Sequence, residues 1–315
     1  MKELTAKQQW AMEKMSALSE ELMNKETGKG GDVAACRQVG ISDSVYNAIK
    51  KGTYTGNVGN QLKKVIEYFE NKEQAAAAEI VTDRSYKPTS ISTMVYKAIK
   101  SCQLRGGIVV IQGDPGVGKT QACKEFYKDN RGSSVFITVN SFVKSQRTIL
   151  ELIGKQLGVS YGASSRMWQE IVNKMSDGMV IIIDEAQHLT GSTIDGIRSF
   201  CDVFADQGQT LGLALVGNDT IYSKIKKAGL NQIDNRIKDV FNFSTAKVKA
   251  DDLKLLFPEI ADDDEAINFL LEITHHNDKS IRGAKNLYYN AKSQHDVSCS
   301  GLAQAAKIRN GLFIN

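Results

Sequence analysis

Residues 108–120 read IVVIQGDPGVGKT, and this stretch decides the fold. Ile108 to Ile111 are four apolar residues in a row and predict a buried strand. Gly113, Asp114, Pro115, Gly116, Val117, Gly118, Lys119 and Thr120 follow at once. The spacing G-x-x-x-x-G-K-[ST] is that of a phosphate-binding P-loop. Its glycines let the backbone turn tightly, so that successive N–H groups converge on anionic oxygens. Lys119 is placed to reach the β- and γ-phosphates, and the Thr120 hydroxyl to sit on Mg2+. A helix opening at Lys119 (KTQACKEFYKD) adds its positive N-terminal end, Gln121 included, to the cradle. The expected cofactors are ATP and Mg2+.

Hydrolysis of a bound triphosphate needs carboxylates as well. Residues 179–184, MVIIID, form the most apolar short run in the chain and lead straight into Glu185. Asp184 is expected to hold Mg2+ through water, and Glu185 to act as general base on the attacking water. Neighbouring strand residues point to opposite faces, so both can serve only if the strand ends here and the backbone bends. Asn218 closes a further strand, LGLALVG, where a polar amide can orient the water without adding charge. Arg236, in IDNRIKDV before the last strand, is placed to project across a subunit boundary and neutralise transition-state charge. Arg282, in DKSIRGAKN, can contact the phosphates from the lid side. His188 is read as a polar residue bonding near the site. His275 and His276 have no partner at metal-ligand spacing, so no zinc site is expected.

Strands at 108–111, 134–140, 179–184, 211–216 and about 240–244 alternate with helices, which predicts a parallel α/β sheet covered on both faces. Beyond Pro258 three helical segments form a lid. The expected division is a helical unit at 1–80, a linker at 81–90, an α/β core at 91–257 and the lid at 258–315. In the N-terminal unit, DVAACRQVGISDSVYNAIKKG splits into a short helix, a turn at Gly40 and a second helix capped by Ser42. Val45, Ala48 and Ile49 are read as its buried face, leaving Ser44, Asn47, Lys50 and Lys51 outward. A helix-turn-helix recognition helix is arranged in this way, so these four are candidate DNA contacts.

The net charge is only +4, so charge alone does not announce nucleic acid. The five cysteines are scattered without a C-x-x-C, as expected of free thiols in a reducing compartment. The polar N-terminus carries no signal-peptide pattern, and no apolar run approaches bilayer length, so a cytoplasmic protein is expected.

The order of P-loop strand, DE strand, strand ending in Asn, Arg before the last strand and helical lid resembles the AAA+ ATPase superfamily. A closer resemblance is to the transposition protein B family of phage Mu and its prophage relatives. Its GNPGVGKT-like, VIIDEADHL-like and LMGN-like motifs stand here as GDPGVGKT, IIIDEAQHL and LVGN. The N-terminal AACRQVGISDSVYNAIKKGTYTG is similar to that family's helix-turn-helix in pattern and position. Gln187 departs from the family pattern, which often has an acidic residue there. The resemblance implies an ATP-dependent, largely non-specific DNA binder that assembles as helical filaments on target DNA. Such filaments hand the target to a DDE transposase, which stimulates ATP hydrolysis and release. It also implies DNA contacts on the ATPase part, for which Lys144, Arg147, Arg166 and Lys174 are the candidates. The rival functions are a signalling or secretion switch, a repressor with a vestigial ATPase part, and a helicase loader. The helix-turn-helix argues against the first. Intact Lys119, Thr120, Asp184 and Glu185 argue against the second.

Overall fold

Strand β1 (Gly107–Gly113) is buried from Ile108 onward. The strands β3 (Met179–Asp184) and β4 (Leu211–Val216) are buried at every residue. A strand covered on both faces loses the alternation of apolar and polar residues, which is why these segments read as continuous apolar runs. With β2 (Ser134–Thr138) and β5 (Ile237–Phe243) they form one parallel sheet in the order β2-β3-β4-β1-β5. The chain leaves β1 towards β2 on one side and reaches β5 on the other. The crevice at the carboxyl end of β1 is therefore the switch point at which ligands bind in open α/β sheets. β5 is an edge strand and alternates in exposure. On the opposite edge the Gln156 amide donates to Phe136 O at 2.5 Å and accepts from Phe136 N at 3.2 Å, occupying backbone groups that would otherwise face outward.

The structure is a computed structural model that describes residues 4–23, 30–77, 85–227, 236–276 and 279–310. The chain divides into two compact units, Met1–Asp83 and Arg84–Asn315. In the larger unit, α5 (Ser90–Arg105), α6 (Lys119–Asp129), α7 (Gln146–Leu157), α8 (Ser164–Lys174), α9 (Gly191–Asp206) and α10 (Thr220–Lys227) alternate with the strands. Successive residues of β1 serve opposite faces. Val109 and Ile111 join Val95, Ile99 and Phe126. Ile108 and Val110 join Ile149, Ile153 and Phe200. The C-terminal helices α11 (Ala250–Leu256), α12 (Asp264–His275), α13 (Ser280–Ser293) and α14 (Cys299–Asn310) follow. Leu253, Phe257, Leu270 and Leu287 share the first of these cores, so the helices are joined to the sheet by apolar packing.

The smaller unit contains α1 (Ala6–Glu21), α2 (Gly31–Val39), α3 (Asp43–Lys50) and α4 (Val58–Ala77) around Met15, Cys36, Tyr46, Leu62 and Val65. A Cβ at Gly31 would lie 2.2 Å from Ser19 O, so the glycine lets the start of α2 pack against α1. Gly40 takes the left-handed conformation (φ +80°), and the N–H groups of Gly40 and Ile41 donate to Cys36 O. Two details of α3 correct the sequence reading. Ser42 holds the N-cap position but makes no cap hydrogen bond; its hydroxyl meets that of Ser44 at 2.8 Å. The buried face is Tyr46 (0 % exposed) and Ile49, whereas Val45 and Ala48 are only half-buried. An aromatic ring covers more apolar area than an alanine methyl, so the helix rolls Tyr46 inward.

Candidate nucleotide-binding and hydrolysis site

The cradle is built where β1 ends. Gly113 has φ +142°, and a Cβ there would lie 1.9 Å from Phe243 O of β5. Only glycine lets the loop leave the sheet at this point. The Asp114 backbone N–H donates to Phe243 O at 2.8 Å. Its carboxylate turns away from the cradle and accepts from Thr245 N at 2.7 Å and Thr245 Oγ1 at 3.1 Å. Those bonds, the backbone one foremost, hold the Asp114 carboxyl below the usual range. Asp114 thus braces the loop with its side chain. Gly118 (φ +102°) is the N-cap of α6 and supplies no side-chain cap, so the first-turn N–H groups of Lys119, Thr120 and Gln121 have no side chain competing for them there. That arrangement suits phosphate oxygens.

Lys119 is 8 % exposed, and its Nζ donates to Gly113 O at 2.8 Å and Asp114 O at 2.7 Å. The ammonium is thus folded back along the loop it serves. Burial lowers its pKa, opposed by the Asp184 and Glu185 carboxylates. Asp184, 2 % exposed at the end of β3, is pushed above the ordinary carboxylate range by burial. The Thr120 hydroxyl bonds to Asp184 and opposes that shift, while the Glu185 charge adds to it. Thr120 and Asp184 therefore meet with oxygen donors, the ligand type Mg2+ prefers, and fit such an ion bound beside a triphosphate.

Glu185 has φ +59° and ψ +31°, a left-handed conformation uncommon for a residue with a side chain. It caps a 3-10 turn, Ala186–His188. This is the bend that two consecutive working carboxylates require. Gln187 lies in that turn and was missed as a site residue. Its Nε2 donates to Glu185 Oε2 at 2.5 Å, and its Oε1 accepts from Asn218 N at 3.3 Å. The Asn218 side-chain oxygen accepts from Thr220 N at 3.1 Å and Thr220 Oγ1 at 2.6 Å, which fixes it at the start of α10.

The two arginines fall in different places. Arg282, exposed on the first turn of α13, is brought to the cradle: its Cβ is 3.1 Å from where a Cβ on Gly116 would stand. Ser280, also missed by sequence reading, is closer still, with its Oγ at 2.2 Å from that point. Arg236 is not brought there. It sits at the amino end of β5, where its carbonyl accepts from Ile108 N, and its Nε pairs with Asp202 of α9 at 3.2 Å. The P-loop is at the other, carboxyl end of the same strands. Residues 228–235, which precede it, lie outside the described residues, as do 81–84 of the expected linker.

Of the candidate DNA contacts, Ser44, Lys50 and Lys51 are exposed and Asn47 is half-buried. Lys50 pairs with Asp32 at 3.7 Å. Arg147 and Arg166 are exposed but each pairs with a glutamate one turn on, Glu151 at 3.0 Å and Glu170 at 2.9 Å. Lys144 and Lys174 are exposed and form no ion pair among the described residues.

Residues 103–225 match the family described as AAA domain. That match lies in the middle of the chain. Its solved likenesses agree in fold: the ORC2 protein of Aeropyrum pernix superposes with a TM-score of 0.54 at 14% identity, covering 74% of this chain and 72% of that one. Cdc6p of Pyrobaculum aerophilum gives 0.51 at 14% identity, covering 73% and 70%. The parallel sheet with flanking helices is thus of the AAA+ P-loop type. In sequence the chain is similar to the Mu-like prophage FluMu DNA transposition protein B of Haemophilus influenzae, 29% identical over 60% of this chain and 65% of that protein. It is also similar to the ATP-dependent target DNA activator B of Escherichia phage Mu, 26% identical over 59% of this chain and 58% of that protein. The match therefore spans less than two thirds of either relative. Among the described residues no helix is long and apolar enough to cross a membrane.

Proposed function

We propose that this protein binds DNA in an ATP-dependent manner, assembles on target DNA, delivers it to a DDE transposase and hydrolyses ATP to release it. The observation that carries the reading is the joining of Lys119, Thr120, Asp184 and Glu185 at one cradle, in a chain similar to target DNA activators. Loop and α6 N–H groups bind the phosphates, and Lys119 leaves its carbonyl partners for the β- and γ-oxygens. Thr120 and Asp184 would hold Mg2+, which would neutralise phosphate charge when bound. Glu185 accepts a proton from the water that attacks the γ-phosphorus. The bond to the β–γ bridging oxygen breaks, and ADP leaves with that electron pair. Asn218 orients the water, and Arg282 contacts the phosphates from the α13 side. Arg236 serves the site of a neighbouring subunit, a reading supported by its place at the far end of β5 from its own cradle.

DNA is held largely through phosphates, which gives affinity without sequence choice. The free Lys144 and Lys174 are better placed for this than the paired Arg147 and Arg166. Ser44, Asn47, Lys50 and Lys51 on α3 make a second contact. The protein works in the cytoplasm, the host's where a phage encodes it.

The test is binding to random-sequence duplex, with particle size measured in ATP, ADP and no nucleotide. Wild type is expected to form large assemblies only with ATP. Lys119→Ala abolishes them, and Glu185→Gln makes them persist, because binding survives while water activation is lost. Rapid DNA release by Glu185→Gln in saturating ATP refutes the mechanism. Binding to one sequence regardless of nucleotide points instead to a repressor.

A further inference from the structure

The Gln187 side chain spans two strand ends, and its hydrogen bonds admit one orientation only. A carboxylate accepts and a backbone N–H donates, so the amide must present Nε2 to Glu185 and Oε1 to Asn218, as it does at 2.5 and 3.3 Å. Two further features hold it there. Lys224 Nζ of α10 donates to Gln187 O at 2.8 Å and ties the turn from its other side. Gly217 leaves the room the amide occupies, since a Cβ at that position would stand 2.0 Å from Gln187 Oε1. The glycine before Asn218 is therefore explained by the glutamine 30 residues earlier. An acidic side chain at 187 would put like charge against Glu185 and could not make this bridge in its ionised form.

We infer that Gln187 is a positioning residue for hydrolysis: its amide clamps the Glu185 carboxylate to the backbone of the loop that presents Asn218. Base and water-orienting amide then move as one unit. A shift of Asn218 is passed to Glu185 through a single side chain. Without the clamp, Glu185 has rotamer freedom to lose before it can meet the water. The inference rests on the proposed role of Glu185 as base.

The experiment is steady-state ATP hydrolysis by Gln187→Met, Gln187→Glu, Glu185→Gln and the double variant Gln187→Met/Glu185→Gln, with ATP binding measured separately by a fluorescent analogue. Methionine keeps the length and removes both bonds. Glutamate keeps the acceptor for Asn218 N–H and repels Glu185. Both are expected to lower kcat about 10- to 100-fold, the usual range for removing a group that orients a working one, with KM for ATP and analogue affinity within about twofold. In the Glu185→Gln background the methionine is expected to cost nothing more, because there is no base left to position. Wild-type kcat in both Gln187 variants overturns the inference, as does the same fold loss with and without Glu185, which would mark a merely structural role. Full turnover by Glu185→Gln alone refutes the base assignment and is distinguishable from either.

Discussion

Gly116→Ala tests how α13 rests on the phosphate loop. Gly116 has φ +76°, and its missing Cβ would lie 2.2 Å from Ser280 Oγ and 3.1 Å from Arg282 Cβ. Two costs follow. An L-residue in the left-handed region loses about 1–2 kcal/mol. Forcing a methyl into occupied space costs typically 1–3 kcal/mol more. The sum, about 2–5 kcal/mol, is a large share of the roughly 5–15 kcal/mol that holds a domain folded. Only part of it is a clash with the hydroxyl, so Ser280→Ala should return about 1–2 kcal/mol and leave the backbone strain in place. Stability is read from urea unfolding followed by Trp168 fluorescence. Trp168 stacks on Phe200 in the larger unit, and the chain's other tryptophan, Trp10, is replaced by Phe in every variant. Expected is a Gly116→Ala/Ser280→Ala double variant clearly more stable than Gly116→Ala. Effects that add to within about 0.5 kcal/mol would refute the contact between loop and helix.

Asp114→Asn tests the brace to Thr245. The Asp114 pKa is depressed in the folded state, so its contribution is present above the unfolded value of 3.8 and lost as pH falls through the lower native value. Wild type should exceed the variant by about 1–2 kcal/mol at pH 7, with the gap closing below pH 4 in urea titrations; a gap constant with pH would show that the charge plays no part. Arg236→Ala breaks a half-exposed pair with Asp202, which is worth under about 1 kcal/mol of stability. If Arg236 serves a neighbour, turnover in the assembled state should nonetheless fall by about 1000-fold while monomer ATP binding is kept. Mixing it with Glu185→Gln, which still assembles, should restore turnover, since one variant supplies the intact cradle and the other the arginine. Failure to recover removes Arg236 from the role in trans.

The parts of the site legible in sequence were those with short-range signatures. The P-loop carries its own spacing, and β3 announces itself because a strand covered on both faces is continuously apolar. The three helical segments expected beyond Pro258 are present as α12, α13 and α14, the first opening on an acidic turn. What escaped notice depends on contacts distant in sequence or on elements too short for a period to appear. α11 has seven residues, two of them acidic, and gives no repeating stripe. Ser280 meets Gly116 across more than 160 residues of chain, and Gln187 meets Gly217 across 30. Gln187 registered only as a departure from a family pattern, with nothing to say where its amide would go. In α3 the four apolar residues Val45, Tyr46, Ala48 and Ile49 permit more than one buried face, and the larger ring decided it.

The conformation of Glu185 ties these observations together. Had β3 continued, Asp184 and Glu185 would face opposite sides of the sheet, and only one could reach the phosphates. The left-handed turn at φ +59° brings the second carboxylate round at a cost of about 1–2 kcal/mol. The surroundings sustain that strain: Val139 N donates to Asp184 O, His188 N to Glu185 O and Leu189 N to Ala186 O, each at 3.0 Å. Backbone bonds fix the turn but leave the carboxylate free to rotate about its own side-chain torsions. The Gln187 amide removes that remaining freedom, and it can do so only because residue 217 is a glycine. Strain at Glu185, a clamp on its side chain and a vacant Cβ just past the neighbouring strand are three parts of one arrangement. Its common result is a carboxylate held beside the loop of Asn218, at the end of the sheet where β1 opens into the phosphate cradle.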